Sequence, residues 1–155
     1  MSLAAKMRRA PLRLVTGAFI LNSGVQKIGL EDEGAHQGLH GMASGAYPQL
    51  AKMEPKQFVK GLGATEVALG AALLLPIVPA GVAGLGLMAF SAGLLGLYWK
   101  TEGMHQPNDP RPTQQGTAIA KDSWMFGIGT SLVLDSMLSE SKVTSEDASA
   151  IPFKK

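Results

Sequence analysis

The chain contains no cysteine, which excludes disulfides, thiolate metal sites, CxxC redox pairs and cysteine nucleophiles. Aromatic residues are scarce at 6%, and Asp, Glu, Lys and Arg together supply only 17%. The net charge of +2 comes from a few lysines and arginines near the ends. Nucleic-acid binding wants Lys and Arg clustered on one surface, so nucleic acid is not an expected partner. No nucleotide-binding motif is present, and the three histidines, His36, His40 and His105, all fall in segments that read as loops. The chain thus lacks the means to carry electrons alone. With no nucleophile and base placed together, no catalytic residue is assigned and an intramembrane enzyme finds little support. No metal ligand is assigned either. His36 and His40 stand four apart, a spacing that would join them on a helix, but Gly34, Gly38 and Gly41 argue against a helix there.

What the chain has instead is a long uncharged run. Val67 to Trp99, VALGAALLLPIVPAGVAGLGLMAFSAGLLGLYW, is thirty-three residues without a charged side chain, interrupted by Pro76, Pro79 and Gly81. A spanning helix takes roughly 20 apolar residues, so starting at Gly61 or Gly63 the run supplies a transmembrane hairpin with its turn at Pro76 to Gly81. Charges gather in 1–13, 27–60, 100–122 and 140–155, and the bands between them are nearly bare. At 155 residues this is one domain, and the banding predicts an all-α integral membrane four-helix bundle, antiparallel, with spans at about 12–29, 61–78, 80–99 and 118–138.

The remaining segments fit around these spans. Residues 1–11 carry Lys6, Arg8 and Arg9 and read as a cytoplasmic basic N-terminus. The alternative, a secretory leader, lacks a small-x-small cleavage site followed by a polar mature chain. Residues 30–60 and 100–117 are extramembrane loops; the piece after Pro55 is a short helical lead into the second span, lying at the membrane surface. Residues 139–155 read as a flexible polar tail. The N-terminal positive charges set an N-in/C-in orientation in the inner (plasma) membrane, multi-pass.

Two kinds of candidate residue follow. Small residues recur at Gly86, Ala89, Gly93 and Gly96, and again at Ser123, Gly127 and Ser131 with Asp135 continuing the line. Such stripes permit close helix packing in lipid. The four-span topology also gathers Asn22, Gln26, Lys27, Glu66, Tyr98, Trp99, Lys121, Asp122 and Trp124 into one polar layer at a membrane boundary. An ionisable group within a membrane segment needs a partner, and Lys27 is the expected partner of Glu66. The layer has two readings: a device fixing helix register, or a site for a ligand or a proton.

Arg13-Leu14 opening the first helix, Gly24 and Lys27 near its end, Glu66 and Gly70 in a Gly/Ala/Leu-rich second helix, and Lys121-Asp122 with Gly127 in the fourth resemble the DoxX family of small four-helix membrane proteins. The stretch GMHQPNDPRPTQQGTAIAKDSWMFGIG resembles the family's actinobacterial branch. The resemblance covers about residues 12–138, and departs from the family in the long His-bearing first connection and the polar tail. DoxX proteins take their name from a subunit of a thiosulfate:quinone oxidoreductase, and a mycobacterial relative is associated with a membrane oxidoreductase assembly. The resemblance therefore implies a non-catalytic accessory subunit, partnered by membrane lipids and other membrane protein subunits of a quinone-linked or respiratory oxidoreductase complex, with no intrinsic cofactor. The alternative is a stand-alone protein that binds a quinone or lipid between its helices, with Lys27, Glu66 and Trp99 at the mouth.

Overall fold

A computed structural model describes residues 3–149, with side chains to residue 139. The chain is all-α. Its elements are α1 (Leu3–Ile28), α2 (Glu33–Ala46), a 3₁₀ turn (Pro48–Lys52), α3 (Pro55–Leu74), α4 (Ala80–Lys100), the single turn α5 (Thr117–Ala120) and α6 (Asp122–Ser149).

Proline sets several of these boundaries. Pro55 opens α3 at a position where its missing N–H costs nothing. At the other end, Leu75 is extended (φ −75°, ψ 120°) because the residue before Pro76 avoids the helical region. Pro79 then forms the amino-terminal cap of α4. Asp32 caps α2, its Oδ1 accepting from the Ala35 N–H at 2.6 Å.

The long helices form two antiparallel pairs. In the first, Gly17 of α1 faces Gly70 of α3, and Gly24 faces Gly63. A methyl group on Gly70 would sit 2.6 Å from the Leu21 nitrogen, and one on Gly24 would sit 2.5 Å from the Gly63 carbonyl oxygen, so the two backbones nearly touch. In the second pair Gly84 of α4 meets Gly129 of α6, where a Cβ on either would lie 2.8 Å from the other's carbonyl oxygen. Between the pairs lies a core of Ile20, Leu69, Leu73, Ala83, Leu87 and Leu132. Burying each large side chain there contributes about 2 kcal/mol. A second, smaller core of Ala43, Ala46 and Leu97 seats α2 against α4.

The expectation of a four-span integral membrane bundle with N-in/C-in topology is corrected here. Among the described residues one helix, α4, is long and apolar enough to cross a membrane, with mean hydropathy 1.8 over its most apolar window. The expected second span, 61–78, runs past the end of α3, so four of its apolar residues belong to the turn; within α3 itself Lys56, Lys60 and Glu66 leave only Val67–Leu74 uncharged at the end. The first span fails for a similar reason. Helix α1 starts at Leu3, well before residue 12, and so carries Lys6, Arg8, Arg9 and Arg13 as well as Lys27. Residues 3–11 therefore belong to the first helix. Pro11 lies inside α1, where it removes a main-chain hydrogen bond.

Two loop assignments change as well. The first connection contains a fourteen-residue helix, α2, in spite of its glycines, and the lead-in after Pro55 is the first part of α3 itself. Helix α6 continues beyond residue 138 to Ser149, through the first part of the segment read as a flexible tail; residues 150–155 lie outside the described residues. On the outer surfaces, large apolar side chains are exposed, among them Leu14, Val15, Phe19 and Val25 of α1, Val82 and Leu85 of α4, and Phe126, Leu134, Met137 and Leu138 of α6.

Candidate functional site

The antiparallel register of α1 and α3 that brings Gly24 to Gly63 also brings Lys27 to Glu66. Lys27 Nζ donates to Glu66 Oε1 at 3.0 Å and Oε2 at 2.9 Å, and to Ser23 Oγ, one helical turn back, at 2.7 Å. Glu66 is 6% exposed. The expected pair is thus present, as a nearly buried two-oxygen contact.

Beside this pair lies a cavity of about 550 Å³ between the two helix pairs, roofed by α2 and the turn after it. Its walls are mostly apolar and include Ile20, Phe58, Leu62, Phe90, Leu94 and Met125. Lys27, Glu66 and Asp122 are its charged lining residues. Asp122 opens α6 and, among the described residues, receives no hydrogen bond on its carboxylate. Burial pushes its pKa up to about 6; the Glu66 charge adds to the rise and Lys27 opposes it. Tyr47 closes one edge: its hydroxyl donates to the Gly93 carbonyl at 2.8 Å, and Lys100 Nζ sits 4.4 Å from the centre of its ring.

The polar layer expected from the sequence divides. Lys27, Glu66 and Asp122 share the cavity. Tyr98, Trp99, Lys121, Ser123 and Trp124 line a second, more open depression bordered by Pro110 and Pro112. There the Tyr98 hydroxyl donates to the Pro110 carbonyl at 2.8 Å, and Trp99 stacks on His105 with ring centres 4.7 Å apart. Trp99 is therefore not at the mouth of the main cavity. Asn22 and Gln26 are exposed and line neither depression.

The small-residue stripes also take different roles. Gly86 faces Leu69, whereas Ala89 and Gly93 line the cavity and Gly96 lies under the Tyr47 hydroxyl. Ser123, Gly127 and Ser131 are exposed, and a Cβ on Gly127 would meet nothing within 4 Å. The glycines that join α1 to α3, Gly17 with Gly24 and Gly63 with Gly70, repeat at intervals of seven. That period was the available signal.

His36 and His40 do share a helix, and each is committed to a main-chain carbonyl: His36 Nε2 to Leu30 at 3.1 Å, His40 Nε2 to Leu50 at 3.0 Å. A carbonyl only accepts, so both rings carry their proton on Nε2 and pin the segments flanking α2. Among the described residues no group of three or more His, Asp or Glu is arranged to hold a metal ion.

At the opposite end of the helix pairs is a network that sequence reasoning missed. Asp135 Oδ1 accepts from Arg8 Nη2 at 2.8 Å, and Oδ2 accepts from Arg9 Nε at 2.5 Å. Arg9, 4% exposed, also donates to the Asp135 carbonyl and to Ser139 Oγ. Arg13 donates to the carbonyls of Ala72, Leu73, Leu75 and Val78, satisfying the carboxyl end of α3, where such groups lack helical partners.

Fold and site together define an all-α protein with a mostly apolar, partly open cavity bearing a small charged cluster. The chain matches no protein-family model, no curated protein and no solved structure.

Proposed function

We propose that this is a membrane-associated protein that binds a small hydrophobic molecule, of quinone or lipid class, in the cavity between its helix pairs. One observation carries the reading: a mostly apolar space of about 550 Å³ with its charges confined to Lys27, Glu66 and Asp122. Ligand sites are commonly apolar cavities of roughly 300–1,000 Å³ with a few convergent polar groups, and this one has both. The apolar α4 and the exposed apolar side chains of α1 and α6 support a position at the plasma membrane, where such a ligand would be found. Within this reading the cavity's polar groups bind and orient; none is assigned a chemical step.

A second reading, an accessory subunit of a quinone-linked or respiratory membrane complex as the DoxX-like resemblance implies, is favoured by the same exposed apolar faces, which a partner subunit would cover. Purification of the full chain in mild detergent, followed by solvent extraction and mass analysis, separates the two. One hydrophobic molecule per chain on an otherwise single protein is the expected result. A reproducible stoichiometric protein partner with an empty cavity would favour the accessory subunit instead.

A further inference from the structure

We propose that the cavity selects a lipophilic cation: an amine-bearing amphiphile whose ammonium group lies against Asp122 and whose apolar chain fills the space beside Phe58 and Phe90. This rests on the ligand-binding reading above and adds the chemistry of the head group.

One cation and two carboxylates line the cavity. Lys27 Nζ has three N–H bonds, and three oxygens lie around it within 3.0 Å: Ser23 Oγ and both carboxylate oxygens of Glu66. Its charge is matched by Glu66, both of whose carboxylate oxygens it contacts. Asp122 is on the same cavity wall with no hydrogen-bond donor among the described residues. It opens a long helix, whose amino end favours the carboxylate form. The other titratable lining residue, Tyr47, already donates its hydroxyl to Gly93. Helices α2, α4 and α5 bring only apolar side chains to the wall.

The charged lining residues therefore sum to one net negative charge, and the single cation among them is already paired with Glu66. A carboxylate or phosphate head would meet repulsion there. A neutral head group would leave that charge unanswered. An ammonium group would gain a charge-assisted hydrogen bond, strengthened by the partial exclusion of water, while its chain would lie against the apolar lining at Phe58 and Phe90.

Dodecylammonium, dodecanol and dodecanoate share one chain and differ in head charge. Titrated by calorimetry into the full chain in nonionic detergent near neutral pH, dodecylammonium is expected to bind at least about tenfold tighter than dodecanol, with dodecanoate weakest. Asp122→Asn should bring dodecylammonium to the dodecanol level with helix content unchanged. Glu66→Gln, which frees Lys27 to pair with Asp122, should do the same by a different route. Dodecanoate binding as tightly as dodecylammonium, or a cation preference that survives Asp122→Asn, would overturn the proposal. Equal binding of dodecanol and dodecylammonium would end the cation assignment and leave the cavity reading standing. Binding of none of the three would end both.

Discussion

The two ends of the paired helices solve opposite charge problems. At one end two arginines, Arg8 and Arg9, converge on a single carboxylate, Asp135, and the surplus donors go to the Asp135 carbonyl and Ser139. At the other end two carboxylates, Glu66 and Asp122, face a single lysine, and Lys27 is engaged by Glu66 and Ser23. Excess arginine donors are absorbed by main-chain and hydroxyl oxygens, here the Asp135 carbonyl and Ser139 Oγ on α6. An excess carboxylate needs a donor, and Asp122 has only the field of the α6 amino end. The arginine end is therefore closed and the lysine end is left with an acceptor and a cavity. The first arrangement holds α1 to α6; the second is where a ligand can be accommodated.

The largest effect that would break this contrast is at the closed end. Asp135→Asn takes the carboxylate contact between α6 and α1 away from the buried Arg9 guanidinium, and loss of these charge-assisted hydrogen bonds should lower unfolding stability by about 2 kcal/mol in urea titration. A loss comparable to that of an exposed surface pair would show that the network is decorative. Glu66→Gln at the open end should cost less, about 1 kcal/mol, because Lys27 can turn to Asp122. The combination with Asp122→Asn should then cost more than the two single changes added together, since it strands the lysine. Strict additivity would mean that Asp122 and Lys27 do not communicate.

The smallest effect concerns pH, and its sign differs between the ends. Hydrogen bonds from Arg8 and Arg9 hold the Asp135 carboxyl below its usual range. Its stabilisation is therefore complete above the unfolded value of about 4 and is lost as the pH falls through the lower folded value. Asp122, raised to about 6 chiefly by burial, binds its proton more tightly folded than unfolded, so stability declines as pH rises from about 4 to about 6. Because its side chain is only partly buried, that decline is under about 1 kcal/mol after solvent screening. Asp122→Asn should flatten it while leaving the acid transition of Asp135 in place, as read by thermal unfolding across the pH range. An unchanged profile in Asp122→Asn would remove Asp122 from the account.

Some of this was legible in the residues. The Lys27 to Glu66 pair follows from placing two neighbouring apolar helices antiparallel, and Pro76 and Pro79 mark the turn between α3 and α4. Helix α2 was hidden by Gly34, Gly38 and Gly41, yet its inward positions, His36, Leu39, Ala43 and Ala46, recur at three- and four-residue steps behind the Asp32 cap. The amphipathic period outweighed the glycine cost because that face is packed. Membrane crossing was over-read in the bounds of the helices: the second span was carried to residue 78, past the end of α3 at Leu74, and the first left out Lys6, Arg8 and Arg9, which α1 includes. The arginine end was missed because Arg8 and Arg9 were placed in a basic N-terminus ahead of the first helix, and Asp135 on a packing stripe. Two elements far apart in sequence had to be folded together before their charges could meet. Asp122 was picked out as polar, but its isolation from donors is a property of three-dimensional placement alone.

The central claim is that the lysine end holds a ligand, and Gly93 allows the most direct test of it. A Cβ at Gly93 would meet nothing within 4 Å, and the residue lines the cavity, so Gly93→Leu should fill the space without displacing a helix. The measurement is the intact mass of the protein released gently from detergent micelles. The wild-type chain should carry one small hydrophobic molecule and the Gly93→Leu chain none, with equal helix content in both. A bare wild-type chain, or the same molecule retained by Gly93→Leu, would contradict the account.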